Sequence, residues 1–329
     1  VLLMEENIVV GSGITGIITS LELLNQDKKV VMFDLGKDDE SNINDKFENN
    51  YQYKINRIKK LYKKIKKNFD RKNGKYFNGS NYIFETKSID NFKYDSSEIY
   101  LALTEAKGGL ANIWGANFCQ PRKEDLKNWP IKYEELQSQF KKIYNYIPTN
   151  IELSNFKKLE QFKNMYSSYN SSYEDEVTNK LFNILKKNEY QLNKEKIFFN
   201  KSFLAVGKIK KYHHTKDEEN MSCQKCGFCM HNCPYKLIFN PRYYLEELNK
   251  NKNFTYHQNY RVNSLVESNG LVNINYTKDF MENKKISTKK VFLCAGPIQD
   301  LIILNNSNLI DNKKIFQLKE TQQFIFLAK

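Results

Sequence analysis

The sequence predicts an α/β fold in which helices pack on a parallel β-sheet, and three observations support this prediction. A β-branched run at Ile8–Val10 leads through a glycine-rich turn into an apolar helix, and the strand KVVMFD (29–34) follows directly. A second unit of apolar strand, small-residue turn and apolar helix occupies Lys290–Leu304. Shorter strand-like runs precede that unit at 261–266 and 271–276. Since a helix that joins two adjacent strands leaves them parallel, the first unit is a βαβ motif.

Length and composition indicate a globular protein. The 329 residues suffice for one large domain or two ordinary ones, and 40% of them are apolar. No apolar run reaches the roughly 18 residues of a membrane-spanning helix, so we expect no membrane span. The opening VLLMEENIVV carries acids where a signal peptide has a basic flank, which predicts a cytoplasmic protein.

The net charge of +14 raises the question of a nucleic-acid partner. Lysine is spread over the whole chain, however, and 38 acidic residues are interspersed with it. A basic amphipathic helix is predicted at 53–69, and we interpret it as a solvated surface helix. The charge therefore reflects a general lysine bias, and we expect no nucleic-acid partner.

The glycine-rich turn has the spacing of a dinucleotide-binding fingerprint. Gly11, Gly13 and Gly16 stand between the first strand and its helix, and Asp34 ends the next strand. In such a turn the glycines let the backbone approach a pyrophosphate at the helix N-terminus, and the acid accepts a hydrogen bond from the ribose 2′-hydroxyl. The alternative is a turn whose glycines serve packing alone. We favour nucleotide binding in a Rossmann-like domain, with FAD and NAD both compatible with the fingerprint.

Two further segments carry the resemblance to a known family. They are GGLANIWG at 108–115 and VFLCAGP at 291–297, the latter followed by the helix IQDLIIL. Together with GSGITG and Asp34, and with the WPI sequence at 129–131, they resemble the glucose–methanol–choline oxidoreductases. The similarity is to a bacterial branch, some of whose members carry a cysteine cluster and are associated with polysaccharide biosynthesis.

The resemblance implies FAD as the cofactor and identifies the residues that would contact it. In the family the first motif binds the pyrophosphate, the second lies along the flavin and pyrophosphate, and the third returns to the nucleotide-binding domain. A valine of the strand RVNSLV corresponds to one whose backbone meets the adenine. The candidate contacts are Gly11, Gly13, Gly16, Asp34, Gly108, Gly109, Asn112, Val262, Ala295 and Gly296.

The sequence departs from the family in two respects. Ala111 replaces a frequent Ser or Thr, which removes one hydroxyl contact. The family continues beyond the point that corresponds to Lys329, with a substrate domain and an active-site histidine, so we expect this chain to be an N-terminal portion. None of its histidines lies in a matching motif, and we assign no catalytic base; they are His213, His214, His231 and His257.

The resemblance also suggests a division of the chain. Residues 1–36 begin the FAD-binding domain, and 37–120 continue it with the basic helical insertion and the second glycine stretch. Residues 121–245 form a mostly helical inserted region of mixed α+β character, 246–310 supply strands and the return to the FAD-binding domain, and 311–329 begin the missing C-terminal substrate part.

Four cysteines have the spacing of a bacterial ferredoxin motif. They are Cys223, Cys226, Cys229 and Cys233, and Pro234 follows them. Three thiolates would hold a 3Fe–4S cluster, and a fourth from Cys233, Cys119 or Cys294 would complete 4Fe–4S. A structural zinc site and four free thiols are the alternatives. We favour iron–sulfur over zinc, and either over no metal; Cys119 and Cys294 are otherwise expected to be small buried residues.

The function expected from these features is that of an FAD-dependent dehydrogenase of alcohol or sugar CH–OH groups. Substrate hydride would pass to flavin N5, and an iron–sulfur cluster would then relay electrons to an external acceptor. A flavin and iron–sulfur electron-transfer subunit is a second interpretation. A non-catalytic remnant of such an enzyme is a third.

Overall fold

A computed structural model describes residues 5–38, 103–118, 121, 123–143, 146–147, 176–197, 199, 204–206, 237–279 and 281–311. Within these ranges the strands are β1 (Glu5–Val10), β2 (Val30–Phe33), β3 (Phe254–His257), β4 (Tyr260–Ser268), β5 (Leu271–Lys278) and β6 (Glu282–Leu293). The helices are α1 (Ile14–Asn25), α2 (Tyr133–Ile143), α3 (Glu176–Lys187), α4 (Glu189–Lys194), α5 (Pro241–Leu248) and α6 (Pro297–Asn306). Short 3-10 helices occupy Gly109–Asn112 and Glu124–Leu126. None of the helices in these ranges is long and apolar enough to cross a membrane.

The strands form one mixed sheet in the order β3-β2-β1-β6-β5-β4. The four strands β3, β2, β1 and β6 are parallel, whereas β5 and β4 continue the sheet in antiparallel pairing. Val10 pairs with both Phe33 and Leu293, and Phe33 pairs with His257. The carboxyl-terminal ends of four parallel strands therefore lie side by side at one edge, in a mixed α/β fold of Rossmann-like type.

The predicted βαβ unit is present and lies in the parallel part of the sheet. All four residues of β2 are buried, as expected for a parallel strand covered on both faces. Side chains alternate between the faces: Val9 and Met32 pack with Ile17 of α1, while Val10 and Phe33 point to the opposite side. The short β-branched strands are thus stabilised by helix packing on one face, and by the antiparallel strands together with α6 on the other.

The two faces of the sheet bury separate hydrophobic clusters. The first brings α1 and α5 against the sheet through Ile17, Leu23, Tyr244, Leu245 and Leu248. The second contains Val262, Leu265 and Ile274 of the antiparallel strands together with Ile303 of α6. Because α1 and α6 follow the neighbouring strands β1 and β6 onto opposite faces, the fold has a topological switch point between these two strands.

The antiparallel half is more extensive than the sequence pattern predicts. β4 and β5 are joined by Asn269 and Gly270, both with positive φ, which is the conformation of a tight hairpin turn. β6 begins at Glu282, eight positions before the predicted start at Lys290. Its first residues are polar and mostly exposed, so they pair with β5 without an apolar signal that would reveal a strand.

Candidate functional site

The loops after β1, β2 and β6 meet at the carboxyl edge of the sheet. Gly11 N donates to Phe33 O (2.8 Å), and Cys294 N donates to Val10 O (2.9 Å). These bonds join the start of each loop to the last residue of the neighbouring strand. Open α/β sheets bind ligands at this edge, in the crevice at the switch point. The predicted site segments around Gly11, Asp34 and Ala295 are therefore brought to one place.

The first glycine turn holds helix α1 close to β1. A Cβ on Gly16 would overlap the carbonyl oxygen of Gly11, and a Cβ on Gly11 would lie 2.6 Å from Cys294 O. Gly13, the residue that precedes α1, is different, because a Cβ there would meet nothing within 4 Å. Its backbone is extended and no side chain caps the helix. The amino end of α1 thus faces open space, which suits an anion at a helix N-terminus.

Asp34 lies at the end of β2, where two hydroxyl groups converge on one of its carboxylate oxygens. Ser12 Oγ and Tyr256 Oη (2.9 Å) both donate to Asp34 Oδ2. Ser12 Oγ in turn accepts a hydrogen bond from Gly108 N at 2.9 Å. The phenol of Tyr256 lies over Gly36, at which a Cβ would overlap Oη. A continuous network therefore joins the first glycine turn, the ends of β2 and β3, and the second glycine stretch.

Two carboxyl groups at this edge have raised pKa values. Burial raises the pKa of Asp34 to about 6, against the opposing effect of the hydrogen bonds from Ser12 and Tyr256. Burial also raises the pKa of Asp300 to about 6, although its carboxylate accepts a hydrogen bond from Ala295 N at 3.0 Å. The pKa of the Tyr256 hydroxyl is raised by its burial and by the nearby Asp34 charge. Shifted titratable groups at a sheet edge are typical of functional sites.

The second glycine stretch lies directly against the first. Gly108 and Gly109 both have positive φ. A Cβ on Gly109 would approach Gly13 Cα to 3.2 Å, so the two backbones could not come this close with larger residues. The stretch predicted to lie along a cofactor is thus adjacent to the open end of α1.

The side chain of Asn112 stabilises the second glycine stretch through hydrogen bonds to its backbone. Its side-chain amide donates to Lys107 O and Gly109 O, both at 2.9 Å, and its Oδ1 accepts from Asn240 Nδ2 at 2.9 Å. Both asparagines are buried. The polar atoms of the Asn112 side chain thus bond to protein groups, and they hold the backbone of the second glycine stretch in place. Asn240 also caps α5 through Arg242 N, and the Asn-Pro start of that helix was the available sequence signal.

Two ion pairs to a buried carboxylate fix the segment that leads into the second glycine stretch. Glu105, with only 4% of its side chain exposed, pairs with Lys37 Nζ (2.5 Å) and Arg261 Nη2 (2.8 Å). Lys37 also forms an isolated parallel bridge with Ala106. Sequence reasoning did not identify Ser12, Tyr256, Glu105 or Arg261, although Ser12 stands inside the fingerprint itself.

The remaining predicted contacts lie around the end of β6 and in β4. Gly296 precedes α6 with φ of 96°, and a Cβ there would meet nothing within 4 Å. Ala295 Cα is 2.8 Å from the Cβ position of Gly11. Val262 is buried in the cluster that contains Val10 and Phe33, the last residues of β1 and β2. Cys294 is buried as expected, and burial raises the pKa of its thiol to about 11.

The predicted metal ligands Cys223, Cys226, Cys229 and Cys233 lie outside the described residues, as does Cys119. In the part of the chain that the structure describes, no three His, Cys, Asp or Glu side chains come together as metal ligands would. The iron–sulfur and zinc alternatives therefore stay predictions.

Comparisons with known proteins find a likeness in structure but none in sequence. No protein-family model matches the chain, and no curated protein matches it in sequence. Among solved structures it is similar to the crystal structure of pyridoxine 4-oxidase from Mesorbium loti, with 11% identity and a TM-score of 0.42. The alignment covers 89% of this chain and 49% of the oxidase, so the chain spans about half the length of that protein.

Proposed function

We propose that this chain binds FAD at the carboxyl edge of β1, β2 and β6 and is the cofactor-holding part of a flavin-dependent oxidoreductase. One observation carries the proposal. The open amino end of α1 at Gly13 lies beside both the held carboxylate of Asp34 and the second glycine stretch at Gly108 and Gly109. These are the three elements that an adenosine diphosphate and its attached flavin would require.

The residues fit the parts of FAD in turn. The pyrophosphate would lie against Gly13 and the first turn of α1, where backbone N–H groups and the helix dipole favour negative charge. Asp34 would accept the ribose hydroxyl, and the Val262 backbone would meet the adenine. Gly108 and Gly109 would follow the pyrophosphate toward the flavin, and Ala295 with Gly296 would flank it at the switch point.

FAD is favoured over NAD because the second glycine stretch contacts the first. The fingerprint and Asp34 would serve either dinucleotide. A loop with two positive-φ glycines packed against Gly13 provides a further backbone surface beside the pyrophosphate, in line with the resemblance to glucose–methanol–choline oxidoreductases.

The proposed reaction class is oxidation of alcohol or sugar CH–OH groups. A bound flavin would supply the hydride acceptor for this chemistry. The protein residues described here would bind and orient the cofactor, and we assign none of them as acid or base. Cys223, Cys226, Cys229 and Cys233 would hold an iron–sulfur cluster that passes electrons to an external acceptor. Both the substrate class and the cluster rest on the sequence.

FAD binding by the purified chain tests the proposal. FAD is titrated into the apoprotein while flavin fluorescence is followed, with riboflavin as the control ligand because it lacks the pyrophosphate and adenosine. We expect saturable binding of FAD, at least tenfold tighter than that of riboflavin, and its loss in Gly13→Val, in which a branched side chain fills the approach to α1. Equal binding of FAD and riboflavin, or no binding, would contradict the proposal.

Activity then distinguishes an enzyme from a remnant. The FAD-loaded chain is incubated anaerobically with a panel of primary alcohols and aldoses, and bleaching of the flavin absorbance is recorded. Bleaching by a member of the panel would support an oxidoreductase of CH–OH donors. FAD binding without bleaching by any donor, but with reduction by a chemical electron donor, would favour the electron-transfer subunit or the remnant.

A further inference from the structure

We infer that Ser12 and Tyr256 are positioning residues that fix the Asp34 carboxylate for recognition of the adenosine ribose. The inference rests on the proposed nucleotide site and goes beyond it, because neither residue belongs to the glycine fingerprint or to the acid that ends β2. On this inference, the preference of the site for ribose over 2′-deoxyribose depends on the hydroxyl groups of Ser12 and Tyr256.

Both hydroxyls act on the same carboxylate oxygen. Ser12 Oγ and Tyr256 Oη donate to Asp34 Oδ2, and neither bond uses Oδ1. A carboxylate held through one oxygen cannot rotate freely, so the second oxygen keeps a fixed direction. A preorganised acceptor binds a hydroxyl more tightly than a mobile one because less side-chain entropy is lost on binding.

Tyr256 is held in place by its surroundings. Its ring lies at the end of β3, which pairs in parallel with β2, so its Cα is fixed relative to Asp34. Gly36 leaves room for the phenol, since any Cβ there would overlap Oη. Lys107 Nζ lies 5.8 Å from the ring centroid on the side of the second glycine stretch. These contacts hold the phenol where its hydroxyl donates to Asp34.

Ser12 connects the carboxylate to the second glycine stretch. Its Oγ donates to Asp34 while accepting from Gly108 N, so one hydroxyl orients both groups. Because Gly108 begins the stretch that contacts Gly13, displacement of the Ser12 hydroxyl would disturb the ribose and pyrophosphate contacts together. We therefore expect Ser12 to contribute to binding of the diphosphate as well as to ribose recognition, whereas Tyr256 contributes to ribose recognition alone.

The test compares ADP with 2′-deoxy-ADP on the full chain, each measured by displacement of FAD or by calorimetry. The wild-type chain is expected to bind ADP about tenfold more tightly than 2′-deoxy-ADP, the value of one hydrogen bond to a charged acceptor. Tyr256→Phe should reduce this preference to about threefold or less, with the affinity for 2′-deoxy-ADP changed by less than about twofold. Tyr276→Phe, which removes a phenol from the neighbouring aromatic cluster, should keep the full preference.

Three results would contradict the roles of Tyr256 and Ser12. If Tyr256→Phe weakens both nucleotides equally, or keeps the wild-type preference, the positioning role of Tyr256 is wrong while the nucleotide site stands. Ser12→Ala should lower the preference and also weaken 2′-deoxy-ADP, since it removes the acceptor of Gly108 N; retention of both affinities would overturn the role of Ser12. Absence of ADP binding by the wild-type chain would overturn the inference and the proposed function together.

Discussion

Gly16 lies so close to the carbonyl oxygen of Gly11 that a Cβ on Gly16 would overlap this oxygen. The same turn leaves open space at Gly13, three residues earlier. Two glycines of one fingerprint thus have different physical roles, since one permits the helix to pack on the strand and the other leaves an approach to the helix end.

This difference predicts opposite effects of the same substitution. Gly16→Ala should lower the free energy of unfolding by about 1–3 kcal/mol or more, because the added methyl overlaps a backbone oxygen. Gly13→Ala has an extended backbone that alanine adopts, and the unfolding free energy should stay the same or rise by up to about 1 kcal/mol. FAD affinity should fall in both. Thermal unfolding with and without FAD measures the two effects; equal stability loss in both variants would show that packing alone explains the glycines.

The raised pKa of Asp34 predicts a pH-dependent stability. Between about pH 4 and pH 6 the native carboxyl keeps a proton that the unfolded chain has released, so the free energy of unfolding falls as pH rises through this window. Burial raises the pKa of Asp34 by more than the hydrogen bonds and the nearby Lys107 charge lower it. The groups around this carboxyl are Ser12, Tyr256, Lys107, Asp38 and His257. Asp300 contributes in the same direction.

Asp34→Asn isolates this contribution because the amide resembles the neutral carboxyl. Without nucleotide the variant should be more stable than the wild type at pH 7.5, by on the order of 1–3 kcal/mol, and the difference should shrink toward pH 4. Its preference for ADP over 2′-deoxy-ADP should be lost, because the variant lacks the charged acceptor of the ribose hydroxyl. The substitution would thus gain stability by removing a charge that serves binding. Denaturant unfolding at both pH values provides the measurement. A variant less stable than the wild type at pH 7.5 would mean that the hydrogen bonds outweigh burial.

The sequence predicts the centre of the fold and the backbone of the site. Gly11, Gly13 and Asp34 lie within one βαβ unit, where short-range spacing determines which residues reach the sheet edge. Tyr256 reaches Asp34 across 222 positions and Arg261 reaches Glu105 across 156, and no local pattern encodes such pairings. Only the folded chain brings Tyr256 of β3 to Asp34 and Arg261 of β4 to Glu105.

The buried position of Glu105 predicts a large effect of its removal. Glu105→Ala would remove the carboxylate that Lys37 and Arg261 share. We expect a loss of about 1–3 kcal/mol in unfolding free energy, because both cations retain partial access to solvent. Nucleotide affinity should fall as well, because the segment that leads to Gly108 loses its attachment. The matched control is Glu134→Ala, whose pair with Lys123 is exposed to solvent, so this variant should lose far less stability than Glu105→Ala. Similar stability losses in the two variants would contradict the structural role of Glu105.

The cysteine motif predicts a metal centre. Anaerobically purified chain should contain iron and acid-labile sulfide, with broad visible absorption, and Cys226→Ser should remove most of both. Cys294→Ser is the control: its thiol is buried at the end of β6 and kept protonated near neutral pH, so iron content should not change. Zinc without iron would replace the electron relay by a structural site, and FAD binding would be unaffected. Equal iron loss in both variants would instead assign Cys294 as a ligand, which would require the cluster to lie beside the amino end of α6.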